Sequence, residues 1–100
     1  MTSDKSPAGC QSLAEIRAQI DQLDQAMVEL LARRGSYVLA AARFKRSEAE
    51  VTAPQRVEQV IARVRALAQA QGTSADVVER VYRELIAAFT DAERAHWRQQ

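Results

Sequence analysis

Cysteine occurs once in this 100-residue chain, at Cys10, and histidine once, at His96. A lone cysteine closes no internal disulfide, which fits a reducing cytoplasm. One cysteine and one histidine near opposite ends are too few ligands for a zinc site. They also leave no Ser–His–Asp arrangement to argue for. With three glycines and two prolines, the chain has no Gly-rich loop to cradle a phosphate. No apolar run approaches the roughly 18 residues of a membrane span. Residues 1–11 are polar and lack the apolar centre of a signal peptide. The formal charge of +1 lacks the basic excess of a nucleic-acid surface. Strand-like alternation, internal repeats and low-complexity tracts are missing too.

What is present is helical. Hydrophobic residues make up 47% of the chain, but only five are aromatic, so Ala, Val, Leu and Ile dominate. These, with many Glu, Gln and Arg and few breakers, predict an all-α fold. The length fits one domain, over residues 12–100, after a flexible segment at 1–11. A chain this short buries little surface alone, so an oligomer is expected.

Three helices with a long first one are expected. Ser12 and Glu15 have capping-box spacing. The apolar stripe Leu13, Ile16, Ile20, Leu23, Met27, Leu30 then recurs in helical steps. The first helix is predicted to run on to about Arg46, through Gly35, which costs roughly 1 kcal/mol against Ala. Such a helix spans about 50 Å and needs a partner along its length. Residues 47–53 read as a connector. Thr52 and Gln55 again have capping-box spacing, with Pro54 in the first turn. The second helix places Val57, Val60, Ile61, Val64, Leu67 and Ala68 on one face and ends at Gly72. Thr73 or Ser74 caps the third, whose face reads Val77, Val78, Val81, Tyr82, Leu85, Ile86, Phe89 and then Glu93. The charged stretch from Arg43 to Glu50 reads as a solvated helix end and loop.

Two residues break these patterns. Arg34 falls where the first stripe calls for an apolar side chain, and the stripe resumes at Tyr37 or Val38, Ala41 and Phe44. A guanidinium on a core-facing seam is costly to desolvate unless an anion meets it. Lys45 follows eleven residues later. On a continuous helix it falls within roughly 20° of Arg34. Two inward cations form an anion site, or else an internal salt bridge or a snorkelling side chain; spacing leaves these open. Glu93 ends the third stripe, either as a boundary carboxylate held by an arginine or water, or as a carboxyl beside that cationic site. Trp97 reads as a packing anchor.

A more specific signal lies in Leu13-x-x-Ile16-Arg17-x-x-Ile20-Asp21-x-x-Asp24, Leu30-Leu31-x-Arg33-Arg34, Phe44-Lys45 and Pro54-x-Arg56-Val57. Together these resemble the all-helical chorismate mutases over nearly the whole chain, from about Cys10 to Trp97. Cys10-x-x-Leu13, Tyr37-Val38, Arg43-Phe44-Lys45, Ser47-Glu48-Ala49 and Ala53-Pro54-x-Arg56-Val57 resemble the branch that includes isochorismate-pyruvate lyase of salicylate biosynthesis.

The resemblance implies an intertwined all-helical homodimer binding a small dicarboxylate, chorismate or isochorismate, in a dry pocket between helices. It makes Arg34 and Lys45 ligands from one chain and Arg17 a ligand supplied by the partner. Arg17 and Arg34 are 17 residues apart, about 25 Å along a helix, too far to serve one small ligand in cis. In an antiparallel pair the two-fold axis then passes near Val28, giving two identical sites.

No metal, cofactor, nucleic acid or membrane is implied. Rearrangement of chorismate to prephenate, a step of aromatic amino acid biosynthesis, is concerted. It needs a held conformer and a donor to the breaking ether oxygen, for which Lys45 is suited. The matched position on the third helix is often a glutamine; here it is Glu93, which donates only when protonated. Gln55 stands where a glutamate is common. Val38, Ala41 and Thr90 match pocket-lining positions. The expected activity is chorismate mutase. The alternatives are isochorismate-pyruvate lyase, or both activities in one pocket, and a non-catalytic helical dimer with a regulatory role.

Overall fold

The structure is a computed structural model that describes residues 6–100. Among these, all regular structure is helical: α1 (Leu13–Ala41), α2 (Glu48–Thr52), α3 (Pro54–Ala70) and α4 (Ala75–Arg98), with 3-10 turns at Pro7–Gly9 and Ala42–Phe44. The all-α fold with a long first helix is as expected, and the connector holds a single helical turn, α2. The expected flexible segment at 1–11 falls partly on residues 1–5, which lie outside the described residues. Its remainder contains the Pro7–Gly9 turn, capped by the Ser6 hydroxyl.

The chain forms two compact units, divided between Gly35 and Ser36 within α1. The described part of the first unit is the N-terminal turn and most of α1. Ser12 caps α1 by accepting from the Glu15 N–H at 3.1 Å. The Glu15 carboxylate reaches back one residue further than in the standard box, to the Gln11 N–H at 2.6 Å. The helix passes through Gly35 unbroken, and Gly35 is its buried residue. The apolar stripe is uncovered: Leu13, Ile16, Ile20, Leu23, Met27 and Leu30 are each 41–62% exposed.

The second unit packs α3 on α4, and sets α2 and the Ala42–Phe44 turn against α4. Val60, Ile61, Val64 and Ala68 of α3 are buried, as are Ala42 and Val51. The hairpin turns at Gly72, whose φ of +73° suits glycine. The Thr73 N–H closes the end of α3 on the Ala68 carbonyl at 3.0 Å. Ser74 then caps α4, accepting from the Val77 N–H at 3.2 Å. Salt bridges tie the two helices together. Arg65 reaches Asp76 and Glu79, and Arg83 grips both carboxylate oxygens of Glu58 and also Glu79.

Four local expectations are corrected. First, α1 ends at Ala41, not near Arg46, and Lys45 is extended (φ −91°, ψ 140°). Lys45 therefore does not share a helical face with Arg34. Phe44, expected on the stripe, is 71% exposed, with the Arg43 guanidinium 4.8 Å over its ring. Second, Thr52 caps nothing: its hydroxyl donates to the Glu48 carbonyl at 3.1 Å. Third, the residue preceding α3 is Ala53, in the left-handed region at φ 42°. A following proline disfavours the right-handed helical conformation. The chain takes the left-handed one here and still places the Ala53 N–H on the Ala49 carbonyl at 3.0 Å. Fourth, Leu67, Val77 and Val81, expected on inward faces, are more than half exposed.

Candidate active site

The site is built around Lys45, the residue at which the chain stops being helical. Its N–H closes the 3-10 turn on the Ala42 carbonyl at 3.1 Å. Its carbonyl accepts the Trp97 indole N–H at 3.0 Å. Its ammonium donates to Glu93 Oε2 at 3.1 Å and to the Glu50 carbonyl at 3.2 Å. The Glu93 side chain is 7% exposed and that of Lys45 25%. A buried carboxylate is tolerated when a cation and hydrogen bonds compensate it, and Lys45 is that cation. The Lys45 side chain, unlike that of its partner, remains partly exposed. The charge on this site is thus held by two acceptors and partly desolvated.

The segment around Lys45 is pinned at several points. Ser47 caps α2, its hydroxyl accepting from the Glu50 N–H at 3.3 Å. The Glu50 carboxylate turns back to accept the Arg46 N–H, with both oxygens at 3.2 Å. This is the shifted capping box of Ser12 and Glu15 repeated. Arg98 of α4 donates to Glu48 at 2.6 Å. Arg94 reaches Asp91 at 3.0 Å and the Thr52 hydroxyl at 3.5 Å. The charged stretch expected as a solvated helix end and loop is exposed apart from Lys45, and it is also tied to α4.

Of the residues expected to form a site, Lys45 and Glu93 come into direct contact. Val38 and Ala41, in the last turns of α1, are half-buried, as is Thr90, one turn before Glu93 on α4. Thr90 lines a groove with Thr52, Val57, Ile86, Ala87 and Arg94. Gln55, in the first turn of α3, is exposed and lines a separate open surface with Pro54, Glu58, Gln59 and Ala62. Arg17 and Arg34 belong to the other unit, on α1, where Arg17 is exposed and Arg34 half-buried.

Clear electrostatic perturbation lies further along the α3–α4 pair. The hydrogen bond from Arg83 holds Glu58 below its ordinary range. Arg83 does the same for Glu79, with Arg65 assisting. In return Asp76 and Glu79 raise Arg65, and Glu58 and Glu79 raise Arg83. These bridges fasten two helices.

Two residues that hold the Lys45 segment, Glu50 and Trp97, were not among the expected site residues. Glu50 was legible, because Ser47-x-x-Glu50 has capping-box spacing. Trp97 was read as an anchor, but its hydrogen bond to Lys45 carries no sequence signal beyond lying four residues after Glu93 on the same helix.

Comparison with known proteins bears directly on this arrangement. The isochorismate pyruvate lyase of Pseudomonas aeruginosa is 39% identical over 95 residues, covering 95% of this chain and 94% of that protein. Residues 16–94 match the family described as chorismate mutase type II, an interval that takes in Arg17, Arg34, Lys45 and Glu93. The chain belongs to the chorismate mutase type II family.

Proposed function

We propose that this protein is a chorismate mutase whose site combines Arg34, Lys45 and Glu93 of one chain with Arg17 of a second. The observation that carries the reading is the Lys45 ammonium. It is held at 3.1 Å from a buried carboxylate, on a side chain that remains 25% exposed, in a chain of this family. Two acceptors take two of its three N–H bonds, and the third is left for a substrate oxygen.

The rearrangement breaks one C–O bond and forms one C–C bond in a single step, with no proton transfer. Arg17 and Arg34 bind the two substrate carboxylates and hold the reactive conformer. Lys45 donates to the ether oxygen as negative charge grows there. Glu93 fixes the ammonium, and adds a second donor only when it carries a proton. Val38, Ala41 and Thr90 line the pocket; Gln55, expected to meet the ring hydroxyl, lies on a separate open surface and is left out of it.

The dimer is part of the proposal. The uncovered stripe of α1 supports it: burying each Leu, Ile or Met contributes about 1.5–3 kcal/mol. Among the described residues no helix is long and apolar enough to cross a membrane. With its lone cysteine, the protein suits a reducing cytoplasm.

The relative from Pseudomonas aeruginosa favours a second reading, elimination of pyruvate from isochorismate. There a ring hydrogen passes to the enolpyruvyl methylene as the ether bond breaks, leaving salicylate. The same cage serves, because charge again grows on the ether oxygen. The test is incubation of purified protein with chorismate and, separately, isochorismate. Prephenate formation supports the first reading and salicylate fluorescence the second. Turnover of neither leaves a non-catalytic helical protein.

A further inference from the structure

We propose that Trp97 is a positioning residue for Lys45, an inference that rests on the catalytic reading of that lysine. Glu93 and Trp97 lie four residues apart on α4, on one face. They hold the two ends of the same residue: Glu93 takes the ammonium at 3.1 Å, and the Trp97 indole N–H takes the main-chain carbonyl at 3.0 Å. Lys45 needs this second grip because it is extended, between a 3-10 turn and α2. No helical ladder fixes its carbonyl. A flexible side chain on a loosely held backbone would deliver its charge to a spread of positions. Stabilisation of a developing charge depends on a donor already in place, and small misplacements cost rate. With the carbonyl tied to a rigid helix, ammonium and backbone share one frame of reference.

Trp97→Phe keeps a smaller aromatic ring and removes the N–H. The expected result is a roughly tenfold fall in kcat with KM little changed. Amide exchange should accelerate at Lys45 and Arg46, while Val60, Ile61 and Val64 keep the wild-type protection. A purely structural role would instead loosen all five amides together, and that result overturns the proposal. Lys45→Ala, assayed alongside, should lose roughly a hundredfold or more in kcat. If Lys45→Ala is impaired and Trp97→Phe turns over like wild type, the positioning role alone is wrong. If Lys45→Ala keeps wild-type turnover, the catalytic reading fails and the inference falls with it. Should Trp97→Phe not fold, the wild-type protein still decides. Trp97 is the only tryptophan, so its indole N–H gives a single resonance. Solvent exchange well below that of free tryptophan supports the bond; exchange at the free rate overturns it.

Discussion

Helices α1 and α3 carry apolar residues at the same period and end with opposite surfaces. On α3, Val60, Ile61, Val64 and Ala68 are 4–5% exposed. They meet α4, which follows after a four-residue turn at residues 71–74. On α1, the stripe from Leu13 to Leu30 stays open, no residue there being less than 41% exposed. A short loop makes two helices antiparallel neighbours, so α3 finds its cover within the chain. A 29-residue helix is about 43 Å long, longer than either neighbour. The second unit is thus stapled and self-packed, whereas the first presents a face for something else.

The sharpest way to break this contrast is to charge the open face. Ile20→Glu puts a carboxylate on the stripe. If a second copy covers it, the dimer should weaken roughly a hundredfold, and turnover should fall in step with the dimer fraction. Sedimentation at micromolar concentration, with activity measured in parallel, checks this. A wild-type protein that sediments as a folded monomer would sink the shared site altogether.

The first unit also carries Arg17, which the proposed function assigns to the partner's site. Arg17→Ala and Arg34→Ala should each lose about two orders of magnitude in kcat/KM as homodimers. Mixed dimers should regain activity. One of their sites combines the intact Arg34 of one chain with the intact Arg17 of the other, and the remaining site holds both defects. Unmixed and exchanged samples are compared after subunit exchange has been verified by mass. No recovery would mean that both arginines serve the same chain, or that neither serves catalysis.

How far the sequence foretold all this follows the same division. Helix and period were legible in both units, because they depend on local spacing, but the faces only in part, since Leu67, Val77 and Val81 are exposed. Ser12, Gly72 and Ser74 marked helix ends, since caps and left-handed turns carry specific side chains. The end of α1 was not legible. Residues 41–46 contain no glycine or proline, and the period runs on through Phe44. The helix stops there amid contacts distant in sequence: Trp97 on the Lys45 carbonyl, Glu93 on its ammonium, and the nearer Glu50 on the Arg46 N–H. Ala53 hid for the same reason, because alanine does not announce a positive φ. Lys45 and Glu93 were both picked out, yet the geometric reason given for Lys45 was wrong. It reaches its position by leaving the helix. The Lys45–Glu93 contact matches one of the two readings left open for Glu93, a carboxyl beside the cationic site, but spacing did not foresee the extended backbone of Lys45.

The smallest effect tests the staples of the second unit. Arg83 hydrogen-bonds Glu58 and Glu79 and lowers both from their ordinary value of 4.5. A carboxylate with a lowered folded value releases its proton more readily in the folded chain than in the unfolded one. Its stabilising contribution is full above the unfolded value. It is lost as pH falls below 4.5 through the lowered folded values. Glu58 is exposed and Glu79 half-buried, so the loss is modest and salt-sensitive. Arg83→Gln removes the cation and with it most of the difference between folded and unfolded protonation at these two sites. Thermal midpoints measured from pH 7 down to pH 3 should therefore fall less steeply for Arg83→Gln than for wild type, and the gap should narrow in added salt. The two proteins should differ most at neutral pH, with wild type the more stable, and converge in acid. Parallel curves across this range would mean that the Arg83 bridges add nothing to folding, leaving the apolar seam of Val60, Ile61 and Val64 to hold the second unit by itself.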